Sequence, residues 1–105
     1  MVRYTTPTFA LTLPDTVDLT EAENVYVTFA NPVGGVIFTR TDDALEITAH
    51  EVDVYLSQEE TAQFTYGSVD IQLNWTYHEA GEVKRACSEI ARVPVTQNLL
   101  AEVVE

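Results

Sequence analysis

The residues best able to do chemistry in this chain are one cysteine, two histidines and many carboxylates, and their spacing lays out no catalytic centre. His50 and His78 lie far apart, each at an expected strand end or turn, and no HxxxH, HxH or CxxC spacing is present to close a zinc shell. Two exposed turn histidines are the expectation. The pairs Asp42-Asp43 and Glu59-Glu60 would hold calcium only with further oxygen ligands, and no Asp-x-Asp-x-Asp-Gly loop supplies them. Solvated turn charges are the simpler reading. Cys87 follows His78 across a hairpin turn, so paired strands could bring thiol and imidazole together as a dyad. A small, half-buried strand residue is the plainer account of Cys87. There is no Gly-x-Ser-x-Gly elbow and no phosphate-binding glycine loop. Carboxylates this numerous will place some pair at glycosidase distance by chance, but so short a chain leaves little volume for a cleft. The expectation is therefore a protein that is not an enzyme, with no catalytic, cofactor-binding or metal-binding residues.

The elements that would position any site are strands. Phe9, Leu11 and Leu13 alternate with Thr8, Ala10 and Thr12. Val25, Val27 and Phe29 alternate with Tyr26 and Thr28, and Val52, Val54 and Leu56 with Asp53 and Tyr55. The longest run sets Val69, Ile71, Leu73, Trp75 and Tyr77 against Asp70, Gln72, Asn74 and Thr76. Successive side chains of a strand point to opposite faces, so each apolar set marks a core face. Weaker stretches at 36–40 and 45–48 complete the middle of the chain. The stretch 83–94 is apolar on neither side, as expected of a strand that changes faces at a bulge or lies at a sheet edge. The spacing predicts seven strands at roughly 8–13, 24–30, 36–40, 45–48, 52–56, 69–77 and 83–94. Pro7 and Pro14 bracket the first, Asn31-Pro32-Val33-Gly34-Gly35 offers positive-φ glycines for a turn, Thr41-Asp42-Asp43 is a tight polar turn, and Glu79-Ala80-Gly81-Glu82 reads as a hairpin loop. Ser57 followed by Glu60 has capping-box spacing and predicts about one helical turn over 57–64. Together these predict an all-β, immunoglobulin-like two-sheet sandwich with one short helical turn.

Composition narrows the class. The chain has 105 residues, room for a single domain spanning 1–105. Seventeen acids against five bases give a net charge of −12. Such a surface repels phosphate backbones and anionic membranes, so neither nucleic acid nor membrane is an expected partner. It suits solubility, or a partner with a basic face. One cysteine allows no internal disulfide. Met1 to Thr6 lack the apolar stretch of a signal peptide, so folding in a cytoplasm is the expectation. Trp75 is in register with Val69, Ile71 and Leu73, which favours the core over a sugar platform. The Asn74-Trp75-Thr76 sequon falls mid-strand and reads as chance. The segment 96–105 is a candidate docking tail, readable as helix or strand. Leu99, Leu100, Val103 and Val104 have the spacing of one helical stripe, which would pack on the chain's own sandwich or grip a neighbouring subunit.

Three stretches together resemble a family. These are Arg3-Tyr4-Thr5-Thr6-Pro7-Thr8; then Val54-Tyr55-Leu56-Ser57-Gln58-Glu59-Glu60-Thr61 leading into Val69-Asp70-Ile71-Gln72-Leu73-Asn74-Trp75; and Val93-Pro94-Val95-Thr96-Gln97-Asn98-Leu99-Leu100. In this order they are similar to small proteins from the tail-gene region of phages and prophages of Gram-positive bacteria. The resemblance implies a structural or assembly role near the tail tip or baseplate. Its partners would be other tail or baseplate proteins or further copies of itself, and its location the host cytoplasm during assembly and then the virion. It brings no catalytic residues and no cofactor. The alternative class is a carbohydrate-binding or adhesin-like sandwich, which would need an exposed aromatic patch.

Overall fold

The computed structural model describes residues 1–33 and 35–105. Strands β1 (Thr8–Thr12), β2 (Asn24–Asn31), β3 (Gly35–Thr41), β4 (Glu46–Ile47), β5 (Glu51–Tyr55), β6 (Gly67–Glu79), β7 (Glu82–Cys87) and β8 (Ala91–Val95) form two antiparallel sheets. One sheet has the order β1-β5-β4. The other runs β3-β2-β6-β7, with β8 also paired to β6. The protein is an all-β sandwich. With β1 read as strand B, this order is that of an immunoglobulin-type domain: B-E-D faces C′-C-F-G. The strand that flanks B in that fold, strand A, has no counterpart in the three-stranded sheet.

The alternating runs do what their period demands. Val27 and Phe29 of β2, Val52 and Val54 of β5, and Val69, Ile71 and Leu73 of β6 are each at most 1% exposed and meet between the sheets. Each such side chain contributes about 1.5–3 kcal/mol through burial. Trp75 joins this core at 9% exposure.

The irregular stretch 83–94 is two strands along one edge of β6. Asn74 faces Cys87 and Ile71 faces Ala91. Three steps along β6 therefore match four steps on its partner, which is a bulge of one extra residue. Ser88 fills it: its N–H donates to the Leu73 carbonyl at 2.8 Å, and its Oγ accepts the Leu73 N–H at 3.0 Å. The extra residue reverses the parity of the strand. Ala86 packs against the core before the bulge, and Val93 and Val95 after it.

The other connections follow their local chemistry. α1 (Gln58–Thr61) has a complete capping box: Ser57 Oγ accepts the Glu60 N–H at 3.2 Å, and Glu60 Oε1 accepts the Ser57 N–H at 2.8 Å. Glu60 also pairs with Arg40 of β3, fastening this crossover to the larger sheet. Of two 3-10 turns, Leu19–Glu21 lies where the pattern predicts no element, and Asp42–Ala44 falls at the predicted polar turn. In the second, Asp42 Oδ1 accepts the Val25 N–H at 2.7 Å, so that carboxylate is structural. In the β2–β3 turn Gly35 has φ +87°, whereas Gly34 lies outside the described residues.

The β6–β7 hairpin turns on Ala80 and Gly81, with φ +52° and +81°. A two-residue loop with both φ positive follows the sheet twist and favours Asn-Gly. Ala80 is exposed there and carries the steric cost of a left-handed backbone. Ala80→Asn should therefore raise stability by about 0.5–1 kcal/mol, measured by urea unfolding.

Candidate functional site

The residues with chemical capacity are held apart. Cys87 is exposed and faces Asn74, while His78 faces Val83. Four positions along β6 separate the two pairs, about 13 Å at the rise of an extended strand. No cysteine–histidine dyad forms. His78 Nδ1 lies 2.9 Å from Glu23 Oε1. His50 departs from the exposed turn histidine expected: it is half-buried, and its Nδ1 sits 2.6 Å from the Val17 carbonyl, tying the β1–β2 connection to the β4–β5 turn. Among the described residues, no three histidine, cysteine or carboxylate side chains converge as metal ligands.

What the fold does build is an open side. The two sheets are linked along one side by the Asp42–Ala44 turn, which connects β3 to β4. On the other side β1 ends its sheet and β7 and β8 end theirs. Between them lies a groove of about 610 Å³ whose lining includes Leu11, Leu13 and Val17 on one wall and Leu73, Trp75 and Ala91 on the other. Beyond Ala91 the edge of β8 is taken by the N-terminus. The Met1 ammonium donates to the Pro94 carbonyl at 2.8 Å, the Arg3 N–H to Thr96 O at 3.0 Å, and the Thr96 N–H to Met1 O at 2.8 Å.

The groove is apolar within and acidic at its rim. Glu89, in the bulge, belongs to its lining, and exposed Asp15 follows Pro14. Three of the five basic side chains are paired with acids: Arg40 with Glu60, Lys84 with Glu82, and Arg92 with Asp70. No family model, curated protein or solved structure matches this chain. The site is therefore read from its own geometry.

The Asp70–Arg92 pair clamps β8 to β6 on the outer face through two bonds of 2.8 and 3.1 Å. The hydrogen bond from Arg92 holds the Asp70 carboxyl below the usual carboxylate range. The sign follows: an acid whose folded pKa is depressed stabilises the fold above its unfolded pKa, and that contribution fades as pH falls through the folded value. An NMR titration should find the Asp70 midpoint low in the native protein and back in the ordinary range in Arg92→Ala.

Two other surfaces were candidates. On the outer face of the larger sheet a shallow depression of about 340 Å³ is lined by Tyr26, Thr28, Asn74, Thr76 and Arg85 among others, with the nearly buried Trp75 at its floor. Of the aromatics expected of a sugar platform, Tyr55 and Tyr66 are exposed on separate elements, and the Tyr55 hydroxyl already donates to Glu46 at 2.8 Å.

The tail after β8 forms neither helix nor strand, so the helical stripe is not built. Instead Asn98 turns the chain by accepting the Leu100 N–H at 3.1 Å and donating to the Arg3 carbonyl at 3.1 Å. The Gln58 amide then takes both polar backbone groups of Val104, at 2.7 and 2.9 Å. A segment this short cannot recover the cost of helix nucleation when side chains offer its backbone these alternatives. Leu99 is fully exposed, and Leu100, Val103 and Val104 are about half-exposed, at 53%, 46% and 47%.

Sequence reasoning missed the groove. The flanking Pro7 and Pro14 were the available hint of an edge, and the uncharged residues between them gave none.

Proposed function

We propose that this protein is a non-enzymatic structural or adaptor module of a phage or prophage tail or baseplate, acting through protein–protein contacts. The observation that carries the reading is the open side of the sandwich, an apolar groove bounded by an uncharged sheet edge. Unpaired strand edges are a hazard that proteins usually blunt with charge, proline or cover. Here prolines flank β1, but its five residues carry no charge. The exposed Leu99, Leu100, Val103 and Val104 offer a second apolar contact. The similarity of three sequence stretches to small tail-region proteins supplies the setting: the host cytoplasm during assembly, then the virion. Mass spectrometry of purified particles from a prophage-bearing strain tests it. Recovery of the chain in fixed proportion to tail proteins is the expected result. Absence from particles, with the protein an inert monomer when tail proteins are present, would overturn it.

A carbohydrate-binding module is the competing reading, and the Tyr26–Arg85 depression is the observation in its favour. It ranks second because Trp75 belongs to the core and the exposed tyrosines make no shared platform. Saturable glycan binding on an array, lost in Tyr26→Ala, would reverse that order.

A further inference from the structure

We infer that the groove is the acceptor for one extended segment of a partner protein, apolar at alternate positions and flanked by basic residues, which adds to β1 as a further strand. This deepens the protein-interaction reading and rests on it. The backbone is already oriented for the addition. Leu56 donates its N–H to the Pro7 carbonyl at 3.1 Å, and Leu13 its N–H to the His50 carbonyl at 2.8 Å. Odd-numbered residues of β1 thus bond inward to β5. Antiparallel alternation then turns the N–H and C=O groups of Thr8, Ala10 and Thr12 to the open side. The incoming strand would take the place that strand A holds beside strand B in an immunoglobulin-type sheet. Alternate side chains would enter the groove against Leu11, Leu73 and Trp75, the recurrent form of recognition by β-augmentation.

The other edges are less available. β4 is two residues long, β3 is bulged opposite Phe29 and Ala30, β7 carries the charges of Glu82, Lys84 and Arg85, and the far part of the β8 edge is paired with Met1 and Arg3. Charge selects among occupants. A second copy would bring another net −12 and a second Glu89 to an acidic rim, and the chain's own tail carries Glu102 and Glu105 and is held at Gln58. A strand with lysine or arginine at its ends complements that rim.

Trp75 is the only tryptophan and lines both the groove and the Tyr26–Arg85 depression, so its emission reports binding and amide exchange assigns the face. The probe is a short peptide of alternating valine and threonine with lysines at both ends, titrated into the full-length protein. The expected result is a saturable change in Trp75 emission, with amide exchange at Thr8, Ala10 and Thr12 slowed by roughly tenfold or more. Glutamate in place of the lysines should weaken binding by about tenfold at low salt. Ala10→Pro should abolish binding, since it removes an outward N–H and leaves the β1–β5 bonds in place. Should that variant not fold, Ala91→Trp blocks the groove from the other wall and must abolish binding instead. No binding, amide changes confined to the tail or to the Tyr26–Arg85 face, or self-association that protects the β1 amides would each overturn the inference. Incorporation of wild type and Ala91→Trp alike into particles would sink this inference alone. Loss of both from particles would instead remove the broader reading.

Discussion

Replacing Phe29 with alanine should lower the stability of the fold by about 3–5 kcal/mol, a large share of the roughly 5–15 kcal/mol that holds a domain folded. Phe29 is fully buried and stands at the centre of four phenylalanines. Its ring centroid is 4.9 Å from Phe38, 5.6 Å from Phe64 and 6.1 Å from Phe9, and Phe38 and Phe64 stack at 5.7 Å. These rings come from β2, β3, β1 and the segment after α1, so one side chain joins both sheets and the crossover between them. Truncation would leave a cavity walled by stiff rings on a β framework, which cannot collapse to fill it. A urea titration followed by Trp75 emission would read the effect as a lower midpoint. Leu99→Ala is the matched control: it removes a large apolar side chain that is fully exposed, and its midpoint should stay within about 0.5 kcal/mol of wild type. A small effect for Phe29→Ala would mean that the sheets are held elsewhere.

The same logic explains what could be read from the sequence. Strands buried on one face announce themselves through period two, and the runs around Val27, Val54 and Leu73 fell where the alternation placed them. The helical turn was legible because a capping box is local: Ser57 and Glu60 need only each other. The stretch 83–94 was legible as irregular, since its apolar residues change parity at Ser88. Its division into β7 and β8 depends on how β6 is paired, a long-range fact. His50 was misjudged because its partner, the Val17 carbonyl, lies 33 positions away. The tail is neither the helix nor the strand its spacing suggested, because apolar spacing says nothing of Gln58, whose side chain captures Val104.

The groove belongs with these long-range facts. Nothing within Thr8 to Thr12 says that β1 ends its sheet; that follows from β5 pairing with β1 on one side and β4 on the other. The irregular strand and the open edge are nevertheless one feature. The bulge at Ser88 places Glu89 on the groove's rim and Ala91 in its wall, so the departure from clean alternation and the candidate site share a cause. The acidic composition acts on the same place. With three of its five bases paired to acids, the chain keeps most of its carboxylates for solvent or for a basic partner.

Thr61→Val is the second large effect expected, and it tests how β1 is held in position. Thr61 is a fully buried polar residue at the end of α1. Its Oγ1 accepts the Thr5 N–H at 3.1 Å and donates to the Thr5 carbonyl at 2.9 Å, with the Gln58 carbonyl at 3.2 Å as an alternative acceptor. One hydroxyl therefore satisfies both backbone groups of a residue just ahead of Pro7 and β1. Valine keeps the shape and removes the partner, leaving two part-buried backbone groups unpaired at a cost of about 2–3 kcal/mol. Thr61→Ser keeps the hydroxyl and gives up only a methyl group, so its cost should be nearer 1 kcal/mol. The order valine worse than serine distinguishes a hydrogen-bonding role from a packing role, which would reverse it. Amide exchange should rise at Arg3 and Thr5 in Thr61→Val and stay slow in the core of β6. If valine is tolerated as well as serine, the N-terminal segment is anchored instead by its bonds to Pro94 and Thr96.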